Sequence, residues 1–486
     1  MQEEIITSVL NEKESLTVLP TGSGKSLCFQ LPAIIKEGMA VIISPLISLM
    51  KDQVDALKQK GISAEYLNSS LNTSQQNTIT DSIEKGKIKL LYMSPERLQN
   101  EQMIGLLQSI RLSFFIIDEA HCISHWGHDF RSEYRNLNII KKIFPKISIH
   151  AFTATATKHV QDDIITQLKL DEAKIHMASV DRPNLTYRIY RRTSIAKQIT
   201  ETLKKHYNEA GIIYCLRRDD VETISCKLNK LGFKNLPYHA GLTDQERHLN
   251  QDHFICGKVG IIVATVAFGM GIDRPDIRFV IHAAMPKSLE YYHQETGRAG
   301  RDGLPSYCYM FFGGRDYHTW KSISEKSYNN EVLIDKLNSI YKFCSQPQCR
   351  HKAISNYFGQ SYEKKSCKAC DYCLDEFDMI ENPLKVSQDI IFSIYEATQD
   401  ISYGFGASHI ANILRGNITE NIEKRGHHNL SRFGSMANYP LELIKHIIEQ
   451  LINQDFLQRE GKYSTLYITD LGIKVLNGKI VPRLRS

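Results

Sequence analysis

The chain has 486 residues, 42% hydrophobic and 23% charged, which suits three or four ordinary domains rather than one. Its 60 basic and 54 acidic residues leave a formal charge of only +6, so a basic nucleic-acid groove is permitted but not required. No apolar run approaches the roughly 18 residues of a membrane span, the acidic start MQEEII is unlike a secretory signal, and eleven mostly dispersed cysteines do not form a disulfide framework. The expectation is a cytoplasmic protein without a membrane partner, nucleoid-associated if its source is bacterial.

In chain order, LTVLP (16–20), AVIISP (40–45), KLLYMSP (89–95), FFIIDEA (114–120) and SIHAFTATA (148–156) read as short buried strands with amphipathic segments between several of them. This alternation predicts a parallel sheet covered by helices on both faces. A second series follows Asp181-Arg182-Pro183-Asn184: GIIYCL (211–216), VGIIVAT (259–265), FVIHAA (279–284) and CYMFF (308–312). It predicts a second α/β domain of similar size. From about residue 321 the pattern turns helical, with helices expected over 331–358. Helical patterns recur at 388–398, 407–414 and 440–453, and LQREGKYSTLYIT then offers two short strands around a glycine-containing turn. Three helices and a hairpin resemble a winged helix.

Ligands on parallel sheets gather at the carboxyl ends of strands, and three motifs lie there. LPTGSGKS (19–26) follows a strand and precedes a helix-like segment. The backbone N–H groups of Thr21, Gly22, Ser23 and Gly24 could cradle phosphates, with Lys25 reaching the β/γ-phosphates of ATP and Ser26 holding Mg²⁺. The strict pattern wants glycine where Leu19 stands, so GSGKS by itself is also compatible with a surface loop. FFIIDEAH (114–121) supplies the partner signal, a strand ending in two carboxylates. Asp118 would orient Mg²⁺ and Glu119 would polarise the attacking water. In GRAGRDG (297–303), Arg298 and Arg301 share a helical face. Read plainly they form a solvated basic turn; read functionally they are arginine fingers that make hydrolysis depend on closure of two domains. Gln2 is a candidate adenine contact through its amide.

Cys349 with Cys367, Cys370 and Cys373 offers four thiolates. These suit structural tetrahedral Zn²⁺, while an Fe–S cluster is chemically possible. Cys344 competes with Cys349 as the first ligand.

These motifs in this order resemble those of a superfamily-two helicase. DEAHCISHWGHDFRSEY (118–134), ATVAFGMGIDRPDIRFVIH (264–282) and YYHQETGRAGRDG (291–303) resemble segments of the RecQ DNA helicases. The cysteine group and winged-helix-like tail follow in the family's order, so the resemblance covers essentially the whole chain. It implies an α/β protein with two tandem RecA-like domains (1–178 and 179–320), a helical zinc-binding module (321–382) and a winged-helix domain (383–486). It also implies ATP, Mg²⁺ and Zn²⁺ as cofactors and 3′→5′ unwinding of DNA in repair and recombination. Single-stranded and duplex DNA would be the partners, with a single-strand-binding protein and repair factors as candidate protein partners.

By the same resemblance, Ser44, Ser48, Gln53, Ser94 and Arg97 would meet nucleic acid on the first domain, and Tyr238, His239, Thr265 and Arg274 on the second. Trp126 or Phe130, beside Arg131, would stack on a base, and His121 would relay that event to the ATP site through Gln294. His427, His428, Asn429, Ser431, Arg432, Arg459, Lys462 and Tyr463 would form the duplex-facing part of the tail. The plain readings are helix-capping serines, a locally paired arginine and core aromatics. Two departures stand out. The family's nucleotide segment has a helix and a Phe-Arg element before its glutamine, whereas Met1 directly precedes Gln2 here. A shortened amino end with a weakened adenine grip is therefore expected, and no extra helical domain at the other end. An RNA helicase would share the engine but not the cysteine group and tail. A catalytically weakened DNA-binding remnant is the other alternative, against which Lys25, Asp118, Glu119 and Arg301 speak.

Overall fold

In the computed structural model, the first apolar series forms a parallel sheet. The structure describes all residues except 46, 69–70, 128, 171, 270–273, 326–329, 377–378, 400–403, 461–463 and 486, and the side chains of 47 and 48. Among the described residues the strands are β1 (Ser15–Val18), β2 (Met39–Ile43), β3 (Ala64–Leu67), β4 (Leu90–Met93), β5 (Leu112–Ile117), β6 (Ile149–Thr153) and β7 (Lys174–Met177), ordered β3-β4-β2-β5-β6-β1-β7. Every pairing is parallel.

The period of two along each strand divides the side chains between two cores. Val41, Ile43, Leu91, Met93, Phe115 and Ile117 enter one, and Ala40, Ile42, Leu90, Tyr92, Phe114 and Ile116 the other. Burial on both faces is why the central strands are continuously apolar. Truncating a fully buried phenylalanine such as Phe114 costs about 3–5 kcal/mol in such a core.

The second sheet contains β8 (Leu185–Arg191), β9 (Ala210–Tyr214), β10 (Asn235–Tyr238), β11 (Ile261–Ala264), β12 (Ile277–His282) and β13 (Ser306–Phe312), ordered β10-β11-β9-β12-β13-β8. It is also parallel throughout. Gly211 gives it room for a large side chain: a Cβ there would collide with the Phe279 ring.

Four strands had no counterpart in the apolar runs: β3, β7, β8 and β10. They are the four edges of the two sheets. An edge strand has one unpaired side and carries polar residues; Lys174 and Ile175 of β7 are exposed, and β8 alternates buried with half-buried residues. Pro237 lies in β10, where an edge tolerates it.

The chain divides into two compact units, 1–340 with 351–369, and 341–350 with 370–486. Both parallel sheets lie in the first. In the second, helices Pro383–Thr398, Ala407–Arg415 and Leu441–Asn453 precede an antiparallel hairpin of β14 (Leu457–Glu460) and β15 (Thr465–Ile468). Ile390, Ile394, Ile410, Leu414, Ile444, Ile447 and Leu451 line its core. Pro383 opens the first of these helices, and Gly416 ends the second at φ +82°, the left-handed position that glycine fills without strain. Lys462 and Tyr463, expected at the hairpin tip, lie outside the described residues.

Candidate nucleotide site and nucleic-acid face

The loop after β1 turns through Gly22 and Gly24, at φ +82° and +75°, and leads into helix Leu27–Ile35. Both glycines are also places of close approach. A Cβ on Gly22 would meet Arg301 Cγ, and one on Gly24 would meet Gln2 Nε2. Gln2 donates from Nε2 to the Ser23 carbonyl at 2.7 Å, so it acts on the phosphate loop itself. The helix start adds the positive end of its dipole to the loop's N–H groups.

β5 delivers Asp118 and Glu119 opposite this loop. The Asp118 N–H donates to the Ile43 carbonyl of β2 at 2.9 Å, which fixes the carboxylates at the sheet's carboxyl end. Lys25 Nζ lies 3.3 Å from Asp118 Oδ1 and 3.4 Å from Glu119 Oε1. Burial works against charge on Lys25, but the two carboxylates outweigh it and hold the ammonium's pKa above its ordinary range. Glu119 sits at φ +48°, a strained non-glycine conformation of the kind that clusters at functional sites. His121 is buried beside it, with Nδ1 3.3 Å from Glu119 Oε2 and 2.9 Å from Thr153 Oγ1 at the end of β6. It thereby joins the carboxylate to a neighbouring strand end.

The second lobe closes the other side. A cleft of about 390 Å³ is lined by Thr21, Gly24, Lys25, Ser26, Asp118 and Glu119 from the first lobe and by Gln294, Arg298 and Arg301 from the second. Helix Leu289–Thr296 carries Gln294, and the turn that follows carries both arginines. Arg298 is only 3% exposed and hydrogen-bonds Tyr214, so it is anchored within its own lobe, whereas Arg301 lies against Gly22. Thr21 is seated on Gly297, where a Cβ would strike its Oγ1.

In the sequence, Arg182 stands only in the segment that divides the two α/β series. Its guanidinium donates to the Thr21 carbonyl at 3.2 Å and to the Gly300 carbonyl at 2.8 Å, bridging the phosphate loop and the arginine turn. Nothing in the spacing of DRPN signals this.

The expected nucleic-acid contacts separate into groups. Ser94 and Arg97 stand at the carboxyl end of β4, with Arg97 Nη2 donating to the Asn68 carbonyl at 3.4 Å. Thr265 follows β11 and is half-buried. Trp126 is 47% exposed, Phe130 stacks on His125 at 3.8 Å between ring centres, and Arg131 donates to the Pro45 carbonyl at 2.9 Å. Other positions differ from the expectation. Ser44 is 1% exposed and lines the nucleotide cleft. Gln53 lines the same cleft and accepts from Gln30 at 2.9 Å. His239 is buried and bound to Glu222 at 2.7 Å. Arg274 is buried in a bidentate pair with Asp276 at 2.7 and 3.0 Å and packs over the Phe254 ring. The side chain of Ser48 lies outside the described residues.

The sulfurs of Cys349, Cys367, Cys370 and Cys373 all lie within 4.8 Å of one another. Tetrahedral zinc with Zn–S bonds of about 2.3 Å needs sulfurs roughly 3.8 Å apart, so the donor set fits. Cys344 is not in the group. Backbone N–H groups of Ala369 and Cys373 donate to Cys367 and Cys370 sulfurs, each at 3.4 Å. Arg350 and Asp371, adjacent to two of the cysteines, form a fully buried pair at 2.9 Å.

Two parallel-sheet lobes with a phosphate loop, a paired-carboxylate strand end and an opposed arginine turn define a DEAD/DEAH-type motor. Accordingly, residues 1–163 match the DEAD/DEAH box helicase family and 194–303 the helicase conserved C-terminal domain. Residues 314–374 match the RecQ zinc-binding family and 382–485 the RQC domain. The chain is 39% identical to the ATP-dependent DNA helicase RecQ of Pasteurella multocida, over 100% of this chain and 77% of that protein. It is 40% identical to that of Haemophilus influenzae (98% and 77%) and 37% to that of Bacillus subtilis (99% and 81%). The chain belongs to the RecQ helicase family. The fold is also shared with the Mycobacterium smegmatis helicase Lhr bound to ssDNA and AMP-PNP, with a TM-score of 0.54 and 15% identity over 96% of this chain and 58% of that one.

Proposed function

We propose that this chain is an ATP-dependent DNA helicase that moves 3′→5′ along single-stranded DNA and parts the duplex ahead of it, in repair and recombination. The observation that carries the reading is the cleft that faces Lys25, Asp118 and Glu119 with Gln294, Arg298 and Arg301. Lys25 exchanges its two carboxylates for the β/γ-phosphates when ATP enters. That exchange frees Glu119, steadied by His121, to orient the attacking water. Ser26 and Asp118 would hold Mg²⁺, which supplies Lewis-acid neutralisation of phosphate charge. Arg301 meets the γ-phosphate, and Arg298 braces the turn that presents it. Hydrolysis therefore depends on how the lobes close over the phosphate loop.

Trp126, Phe130 and Arg131 serve as the DNA-sensing loop, with Ser94, Arg97 and Thr265 along the strand's path and the tail on the duplex. The four cysteines hold structural zinc. We retain the division into 1–178, 179–320, 321–382 and 383–486 as working domains. A single-strand-binding protein and repair factors are the proposed protein partners, and the DNA of the cell is the proposed site of action. The test is strand displacement on 3′-tailed and 5′-tailed DNA and on a matched RNA duplex, alongside DNA-stimulated ATPase. The 3′-tailed DNA should be opened and Lys25→Ala should be inert. Preference for the 5′ tail or for RNA, or activity in Lys25→Ala, would overturn the reading.

A further inference from the structure

Helix Asn330–Ser345 leads toward the cysteine group and carries a lysine whose side chain is turned inward. Lys336 is 9% exposed. A buried ammonium is costly unless its donors are matched, and this one meets three acceptors. It donates to the Trp126 carbonyl, to the Gly127 carbonyl at 2.9 Å, and lies 3.2 Å from Glu290 Oε1. The first two belong to the aromatic loop of the first lobe. The third belongs to the second lobe, where Glu290 sits in the first turn of helix Leu289–Thr296. Gln294 lies one turn further along that helix, and the arginine turn follows directly.

Two further bonds of the loop run within the first lobe. The Trp126 N–H donates to Ser124 Oγ at 3.2 Å, and Arg131 reaches the Pro45 carbonyl. Gly127 packs so closely that a Cβ would strike the His121 carbonyl, so the loop backbone rests on the residue that touches Glu119. With the backbone held at Trp126 and Gly127, the indole itself remains outward.

We propose that Lys336 is a positioning residue that transmits occupancy of the aromatic loop by single-stranded DNA to the arginine turn, through Glu290 and helix Leu289–Thr296. This rests on the reading of Trp126 as a DNA contact. A base stacking on the indole displaces the loop backbone; the ammonium moves with the carbonyls it binds and draws on Glu290. Without the charge at 336, DNA still binds but no longer accelerates hydrolysis.

The test uses the full chain with a dT oligonucleotide and ATP. Lys336→Met should lower the DNA-stimulated kcat about five- to a hundredfold, the range of ordinary coupling energies. DNA-free turnover, the KM for ATP and oligonucleotide affinity by anisotropy should stay within about twofold, a split that loss of structure alone does not produce. Glu290→Gln, which keeps shape and removes charge, should reproduce the loss, and the double variant should be no worse than either single one. If Lys336→Met does not fold, Glu290→Gln alone decides. Normal stimulation in a folded Lys336→Met or in Glu290→Gln, or an equal loss of basal turnover, overturns the proposal. Trp126→Ala in the same assay separates the two claims: retained stimulation there sinks the loop reading itself, whereas loss there with normal Lys336→Met sinks only the lysine's role.

Discussion

The two lobes present opposite electrostatic faces to the same cleft. The first holds a compensated set, with Lys25 sitting between Asp118 and Glu119. The second brings arginines, one of them, Arg298, anchored inside its own lobe. On the proposed reading, a nucleotide's phosphates would complete the second face and compete with the first for Lys25, so that binding would depend on closure of the lobes.

Removing the compensating charge of the first lobe should have the largest effect. Lys25→Ala should lower DNA-stimulated ATPase by about a thousandfold or more, measured by phosphate release with melting temperature as the folding control. The second lobe should break in two distinguishable ways. Arg301→Ala should lower kcat by about 10³-fold with little change in stability, the lower end of what loss of an arginine finger costs. Arg298→Ala should lose activity and also melting temperature, because it vacates a buried site beside Tyr214. Equal melting temperatures for the two variants would contradict the distinction.

Outside the lobes, Cys370→Ser should abolish binding of one zinc per chain by metal analysis and lower the melting temperature by several degrees, since a structural metal's binding energy is folding energy. Iron in the wild-type protein would refute the zinc assignment.

The smallest expected effect is on acid stability. Burial holds His150 of the first lobe at about 3 and His293 of the second at about 4. Unfolding releases both to their ordinary value near 6.5, so the unfolded chain takes up more protons below that pH. Stability should be intact above about 6.5 and decline as pH falls toward 4. Urea midpoints across that window, compared with His150→Gln and His293→Gln, would show which lobe yields.

Legibility in the sequence followed burial and locality. Nine apolar runs each overlap a strand, because central strands are covered on both faces. The edges β3, β7, β8 and β10 were missed because their polar residues break the run. The phosphate loop and DEAH pair were legible because each is a contiguous motif at a strand end. The surroundings of Ser44, His239 and Arg274 were not, since a serine, histidine or arginine beside a strand reads the same whether it faces solvent, a cleft or a carboxylate. Arg182 and Lys336 act across 118 and 209 residues of chain, and no local pattern encodes such a bond.

One of the missed edges has a consequence of its own. The Tyr238 carbonyl accepts the Thr265 N–H, so the neighbouring Pro237 turns its backbone away from β11 and toward the open side. There it has no N–H to offer, and its carbonyl is taken by Asn250 Nδ2 at 2.8 Å. A foreign strand arriving at this rim finds neither donor nor acceptor at that position. The rim of the second sheet is thereby protected at that position against edge-to-edge pairing with another sheet.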